Sequence, residues 1–309
     1  MNSTERTFHA NGKLLLAGEY FVLDGALSLA VPTRQGQSLH IEEQADFAHL
    51  SWESLDAEGK TWFKALFDIS DFSVISATDA KVGQRLQQIL TAVREQNEHF
   101  LSAGAIVRTE LEFPREWGLG TSSTLLYNLA QWAKIDPYPL LFNTFGGSGY
   151  DLACAQSESA VFYRLEEKEQ PKILTFPFRP VFIDNLYFVY LGKKQNSREG
   201  IARYREKVKS APRLIERISC LTEEIARAGS LSEFAEKLKR HENIVAETLK
   251  LPRAKDLYFP DYPGEIKSLG AWGGDFVLAT SELSAQETAA YFTEKGMEVC
   301  LKYRDLVKI

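Results

Sequence analysis

Sulfur, basic charge and long apolar runs are all scarce in this sequence. Three cysteines, Cys154, Cys220 and Cys300, stand far apart, and no C-x-x-C pair occurs. This spacing suggests neither a thiolate zinc site nor a disulfide framework, and fits a reducing compartment. Acidic residues outnumber basic ones, 42 to 36, giving a net charge of −6. Nucleic-acid binding leans on a basic face that meets phosphates, so that class is disfavoured, with a local basic patch left open. The most apolar N-terminal stretch, LLLAGEYFVLDGALSLAV, is broken by Gly18, Glu19, Asp24 and Gly25. Nothing approaches the ~18 residues of a membrane span, and no small-residue cleavage site follows an unbroken apolar core. The expectation is a soluble, cytoplasmic protein with neither nucleic acid nor membrane as partner.

What is present is ordinary for a globular chain: 44% hydrophobic and 25% charged residues over 309 positions, enough for one large domain or two ordinary ones. There is no internal repeat. Lys13–Ala17 and Leu27–Val31 are apolar runs beside glycines, and Ala105–Phe113 alternates, with Val107, Leu111 and Phe113 on one side and Arg108, Glu110 and Glu112 on the other. Such alternation predicts a half-buried strand. Next come the loop PREWGLG and then TSSTLLYNLAQWAKI, whose Leu125, Leu129 and Trp132 recur at helical spacing. Thr121, Ser122 and Ser123 are good N-cap residues for that helix. A second, small-residue helix is predicted to begin near Asp151. The charged, proline-rich stretch Leu165–Pro180 reads as a domain junction. Beyond it, Leu186–Leu191 and Phe276–Thr280 read as strands, and Arg198–Leu251 as helices broken at Pro212 and Gly229-Ser230. Ser230 and Glu233 have capping-box spacing. A helix over Ala285–Lys295 and a strand near Glu298–Tyr303 close the chain, giving two α+β domains.

Three glycine-rich loops could carry chemistry: GKLLLAGEY at Gly12–Tyr20, GLGTSS at Gly118–Ser123, and GAWGG at Gly270–Gly274. Glycines that expose backbone N–H groups ahead of a helix N-terminus make a site for an anion such as phosphate. The alternative is a glycine turn followed by an ordinary Ser/Thr cap. The loop is not a Walker A sequence, and Ser123 stands where G-x-G-x-x-G would need its third glycine. In FGGSGYDLACAQ, three glycines and a serine precede one carboxylate, Asp151. It is either a plain helix N-cap or a carboxylate held near a ligand as base or orienter. Lys13, between a glycine and an apolar run, either ends a strand in solvent or pairs with a carboxylate or phosphate. The five histidines, at positions 9, 40, 49, 99 and 241, show no catalytic spacing, and the role of His241-Glu242-Asn243 is open.

In order and spacing these loops resemble the GHMP kinases, the family of galactokinase, homoserine kinase, mevalonate kinase and phosphomevalonate kinase. The family's P-G-K-x-x-x-x-G-E-H/Y is matched by Asn11-Gly12-Lys13 and Gly18-Glu19-Tyr20, and its P-x-x-x-G-L-G-S-S-A by Pro114 and GLGTSS. Its S-G-x-D is matched by Ser148-Gly149-Tyr150-Asp151, and its K-x-x-G-A-G-G-G by Lys267 through Gly274. The segment GYDLA resembles a subgroup marked by G-Y-D-I-A. The resemblance spans nearly the whole chain. It implies an α+β, two-domain fold: an N-terminal mixed α/β nucleotide-binding domain over residues 1–170, and a C-terminal ferredoxin-like domain over 180–309. It implies ATP and Mg²⁺ as cofactors, with Gly118, Leu119, Gly120, Thr121, Ser122 and Ser123 at the ATP phosphates and Ser122 reaching the metal. Asp151 and Lys13 would be the catalytic pair. Glu19, Tyr20, Ser148, Gly149, Ser197, Gly270 and Ala271 would line the substrate side. The triplet GEY and the segment Gly192-Lys193-Lys194 with Asn196-Ser197-Arg198 resemble the mevalonate branch, with mevalonate or phosphomevalonate as acceptor and a monomer or homodimer as the assembly. Lys193, Lys194 and Arg198 either grip a carboxylate or phosphate or form a solvated basic turn. A binding protein on this fold and an ATP-dependent diphosphomevalonate decarboxylase are the alternatives. Three departures stand out. Asn11 replaces the opening proline, Trp272 interrupts the closing glycines, and Leu140 occupies the place of the Mg²⁺-binding glutamate of mevalonate kinases.

Overall fold

A computed structural model describes residues 4–44, 47–166, 170–193, 197–208, 211–270, 272 and 275–309. The chain divides into two compact units that interleave in sequence. One holds the chain up to Gly12, Gln35–Arg115 and Leu119–Gln156. The other holds Lys13–Arg34, Glu116–Gly118 and Ser157–Ile309.

Two long strands, β1 (Thr4–Ala17) and β2 (Ser28–Gln44), contribute residues to both units. In the first unit they are followed by β3 (His49–Leu55), β4 (Thr61–Asp68), β5 (Val74–Ala77), helix α1 (Ala80–Gln96), β6 (Gly104–Leu111), α2 (Thr121–Ala133), α3 (Pro137–Thr144) and α4 (Tyr150–Ala155). Its strands run in the order β5-β4-β3-β6-β2, antiparallel except for the parallel pair β3–β6. The alternation read from the sequence gives β6, which sits mid-sheet, one buried face and one solvated face. Val107 and Leu111 are buried while Arg108 and Glu110 face solvent, as a two-residue period requires. The four helices cover the buried side, where Leu86, Leu90, Leu126, Leu129, Trp132 and Leu152 join Trp52, Phe63 and Phe67 in one core. On the other side Glu53 takes ion pairs from Lys64 at 3.0 Å and Arg108 at 3.5 Å.

The second unit adds β7 (Ala160–Glu166), β8 (Gln170–Phe176), β9 (Leu186–Tyr190), α5 (Ser197–Lys207), α6 (Pro212–Arg227), α7 (Leu231–Leu249), α8 (Ala254–Tyr258), β10 (Ile266–Ser268), β11 (Phe276–Thr280), α9 (Ala285–Glu294), β12 (Cys300–Lys302) and α10 (Tyr303–Leu306). Its small sheet is antiparallel, in the order β10-β11-β9-β12. The stretch read as a junction, Leu165–Pro180, carries β8, which pairs with β7 from Ala160↔Phe176 to Glu166↔Gln170. Its prolines Pro177 and Pro180 fall outside the strand, and Pro171 lies near its start, where a missing N–H does least harm. Pro212 opens α6, as its fixed φ favours. Ser230 caps α7 by accepting from the Glu233 amide at 3.2 Å, while the Glu233 carboxylate accepts from Gly229. The final strand is shorter than the sequence suggests, because Tyr303 starts α10 and is buried there.

Candidate active site

In the first unit, the sequence LGTSS builds the start of α2. Thr121, Ser122 and Ser123 are read above as caps, but the capping residue is Gly120, in the left-handed region at φ 100° with no side-chain cap. A glycine there turns the chain straight into the helix. The three hydroxyls therefore lie within the first turn and are not consumed as caps. The first-turn amides have no capping side chain, which is the arrangement that suits an anion. Leu119 is fully buried ahead of the turn. Behind it, the Thr124 hydroxyl donates to Gln37 Oε1 at 2.7 Å, and Asn128 donates to the Gln37 carbonyl at 2.8 Å, fastening α2 to β2.

Asp151 sits in the first turn of α4, whose cap is Gly149 at φ 87°. The Ser123 hydroxyl donates to Asp151 Oδ2 at 3.3 Å. Ser122 is exposed one residue earlier, and Ser148 is buried ahead of Gly149. The fold thus brings Asp151 to the start of α2 across 28 residues, with Ser123 as the contact. Leu140, at the place where a metal-binding glutamate would be sought, is fully buried in the helix core.

In the second unit, Lys13 is half-buried and its ammonium donates to the Gly118 carbonyl at 2.9 Å. Gly118 has φ +66°, and a Cβ placed on it would lie 2.3 Å from Asp275 Oδ2. Asp275 therefore packs against the first glycine of the GLGTSS loop. The Asp275 amide donates to the Lys193 carbonyl at 2.8 Å, tying the end of the closing glycine loop to the segment after β9. Lys193 is exposed, with its ammonium 5.7 Å from the Tyr258 ring centroid. Lys194, Asn196 and Ala271 lie outside the described residues. Ser197 and Arg198 lie in the first turn of α5, and their side chains are outside the description as well.

Glu19 and Tyr20 lead into a buried polar cluster. Glu19 is 1% exposed, and its carboxylate accepts from the fully buried Lys267 ammonium. Burial pushes the Glu19 carboxyl up while Lys267 opposes the rise. Lys267 also donates to the Ser268 carbonyl at 2.9 Å. His241 Nε2 accepts from the Gly18 amide at 2.9 Å, and the Ser268 amide donates to Glu242 Oε1 at 3.0 Å. His241 and Glu242 are both 0% exposed. Burial and the nearby Lys267 hold His241 well below the usual imidazole range, so it is neutral and accepts with Nε2. Burial raises Glu242 to about 7. The Tyr20 hydroxyl accepts from the Trp272 amide at 2.9 Å, and its ring stacks on Tyr204 at 5.8 Å. Trp272 points inward, with its indole donating to the Pro252 carbonyl at 3.0 Å. Gly270 has φ +62° and open space where a Cβ would go. The contacts of His241, Glu242 and Asp275 were not legible from spacing. The nearest sequence hints were a histidine-glutamate pair on an apolar helix and an acid directly after a glycine loop.

No protein-family model matches the sequence, and no curated protein matches it either. Solved structures do match the fold. L. major mevalonate kinase in complex with R-mevalonate superimposes with a TM-score of 0.69 at 15% identity, covering 99% of this chain and 97% of that one. Streptococcus pneumoniae phosphomevalonate kinase in complex with phosphomevalonate and AMPPNP gives 0.67 at 18%, covering 96% and 99%. The chain has the GHMP kinase fold. Mevalonate diphosphate decarboxylase from Staphylococcus aureus shares it too, at 0.63 and 11%, covering 97% of this chain and 96% of that one. Within the GHMP kinase fold, then, the GLGTSS turn is a helix start with uncapped amides, and the S-G-Y-D segment is the start of a neighbouring helix.

Among the described residues, no three or more His, Cys, Asp or Glu side chains gather into a metal site. One carboxylate and the Ser hydroxyls at the start of α2 form a sparse donor set. That set fits Mg²⁺ arriving on a nucleotide, because Mg²⁺ keeps several waters and takes one or two protein ligands beside phosphate. No described helix is long and apolar enough to cross a membrane.

Proposed function

We propose that this protein is an ATP- and Mg²⁺-dependent phosphotransferase of small molecules, acting on mevalonate or phosphomevalonate. The observation that carries the reading is the Ser123–Asp151 contact, made where two helices begin, each behind a left-handed glycine without a side-chain cap. Bound MgATP would supply the transferred phosphoryl group and part of its charge neutralisation. The chain's own residues supply positioning. The first-turn amides of α2, that of Ser123 included, and the hydroxyls of Thr121 and Ser122 would hold phosphate oxygens, with Ser122 as the hydroxyl at the metal, while the single O–H of Ser123 stays on Asp151. The Asp151 carboxylate orients an acceptor hydroxyl and takes its proton at an oxygen, a role that Ser123 supports by fixing Oδ2. Lys13 supplies fixed positive charge, and its hydrogen bond to the Gly118 carbonyl sets its direction. Ser148, Gly149, Ser197, Gly270 and Ala271 belong to the acceptor side.

A phosphate acceptor is already ionised and needs cations more than a base. The two acceptors are therefore separated by experiment. ADP release is measured with ATP, Mg²⁺ and, in turn, mevalonate, phosphomevalonate, diphosphomevalonate, homoserine and galactose. Turnover with mevalonate or phosphomevalonate is expected. Carbon dioxide release from diphosphomevalonate would replace the kinase reading with the decarboxylase. ATP binding without ADP release on any acceptor would make the chain a binding protein on a kinase fold.

A further inference from the structure

Two adjacent residues of α7 reach two different loops. Successive helical positions are rotated by about 100°, so neighbouring side chains diverge. His241 accepts from the Gly18 amide, at the turn that ends β1, and Glu242 accepts from the Ser268 amide, at the end of β10. Lys267 bridges the same two places by donating to the Glu19 carboxylate and the Ser268 carbonyl. A fourth tie runs from the Trp272 amide to the Tyr20 hydroxyl. Every side chain in this set is less than 10% exposed. Gly18 sits where only a glycine fits. It has φ +97°, and a Cβ on it would lie 2.6 Å from the Ser28 Cβ.

We propose that His241 and Glu242 are positioning residues that hold the Gly18-Glu19-Tyr20 turn and Ser268, at the end of β10, in one register for phosphoryl transfer. The proposal rests on the kinase reading above. Its physical basis is that, among the described residues, no strand ladder joins these two places, so buried side chains from a third element supply their hydrogen bonds. A neutral imidazole can accept a backbone N–H in a dry interior without bringing charge with it. A carboxyl can do the same beside Lys267. The hydrogen bonds of His241 and Glu242 go to Gly18 and Ser268, so their effect falls on the acceptor and on the rate, with ATP affinity spared.

The test uses His241→Leu and Glu242→Leu, with His241→Gln and Glu242→Gln as variants that keep an acceptor oxygen. Each full-length protein is checked for folding by circular dichroism and thermal melting. Amide hydrogen exchange is read at Gly18 and Ser268, and kcat and KM are measured for ATP and for the acceptor. In the leucine variants the two amides are expected to lose protection locally, and kcat to fall about 10- to 100-fold, the scale of a small misplacement of reacting groups. KM for ATP should stay within about threefold, and the glutamine variants should recover most of the lost rate. Folded leucine variants with loosened amides and an unchanged rate would overturn the proposal, as would unchanged protection. If the leucine variants do not fold, wild type decides: Gly18 and Ser268 amides that exchange as fast as exposed loop amides would overturn it, and slow exchange with glutamine variants at near wild-type kcat would support it. A wild type silent on every acceptor overturns the kinase reading itself, and that outcome is distinct because it appears before any variant is made.

Discussion

Asp151 carries the most chemistry for its size. It is half-buried, lies in the first turn of a short helix, and accepts from the Ser123 hydroxyl at 3.3 Å. Asp151→Asn keeps the shape and one acceptor oxygen, so the melting temperature is expected to stay within a few degrees of wild type. Turnover should fall about 10²- to 10⁴-fold, the usual contribution of a positioned acid–base group. ADP-release rates for the two proteins check this, and equal rates would remove Asp151 from the mechanism. The neighbouring position shows what spacing misses. Ser122 and Ser123 are equivalent as letters, but α2 turns one to solvent and the other onto the carboxylate. A helix separates adjacent residues by about 100°, and only the true start of the helix says which is which. That start is Gly120, one residue before the three candidates for the cap.

At the scale of elements, the glycine loop is held by what packs behind it. Gly118 combines φ +66° with the Asp275 carboxylate where a side chain would stand. A left-handed conformation costs an L-residue about 1–2 kcal/mol, and the steric conflict adds to it. Gly118→Ala is therefore expected to weaken ATP binding at least tenfold, read by nucleotide titration, because the loop must shift to clear Asp275. Affinity equal to wild type would mean that the loop does not carry the phosphates. Helices α2, α7 and α9 and strands β6, β9 and β11 were legible in advance, because their periodicities, caps and bounding glycines or prolines are local properties. The β8 strand was hidden by a charged, proline-bearing sequence, since β7 supplies the pairing that its own composition does not advertise.

At the scale of the whole molecule, buried charge couples stability to pH. Glu242 titrates at about 7 in the folded protein, against an ordinary value of 4.5. Between these values the folded state binds a proton that the unfolded chain has released, so this contribution to stability is full below about 4.5 and is lost as pH rises through about 7. The loss amounts to about 3 kcal/mol. His241 acts with the opposite sign. Its folded value is lowered, so its contribution is present above the ordinary value of 6.5 and is lost as pH falls. Comparing urea unfolding of wild type and Glu242→Gln from pH 5 to 8 separates the two, because the variant retains His241. The wild-type advantage should shrink as pH rises, and a difference that does not change with pH would show that Glu242 carries no raised carboxyl.

The sequence by itself determined the two α+β modules, the order of the three glycine loops and the place of Asp151 behind its glycines. These are patterns of neighbouring residues, and turn, cap and strand preferences act at that range. Only the tertiary structure decided that β1 and β2 serve both units, that Ser123 is the hydroxyl at Asp151, that Trp272 turns inward to Pro252, and that Glu19, Lys267, His241 and Glu242 share one dry cluster. Those outcomes join residues up to 248 positions apart. Desolvation and pairing of buried polar groups set them, and both depend on which surfaces meet once the chain has folded.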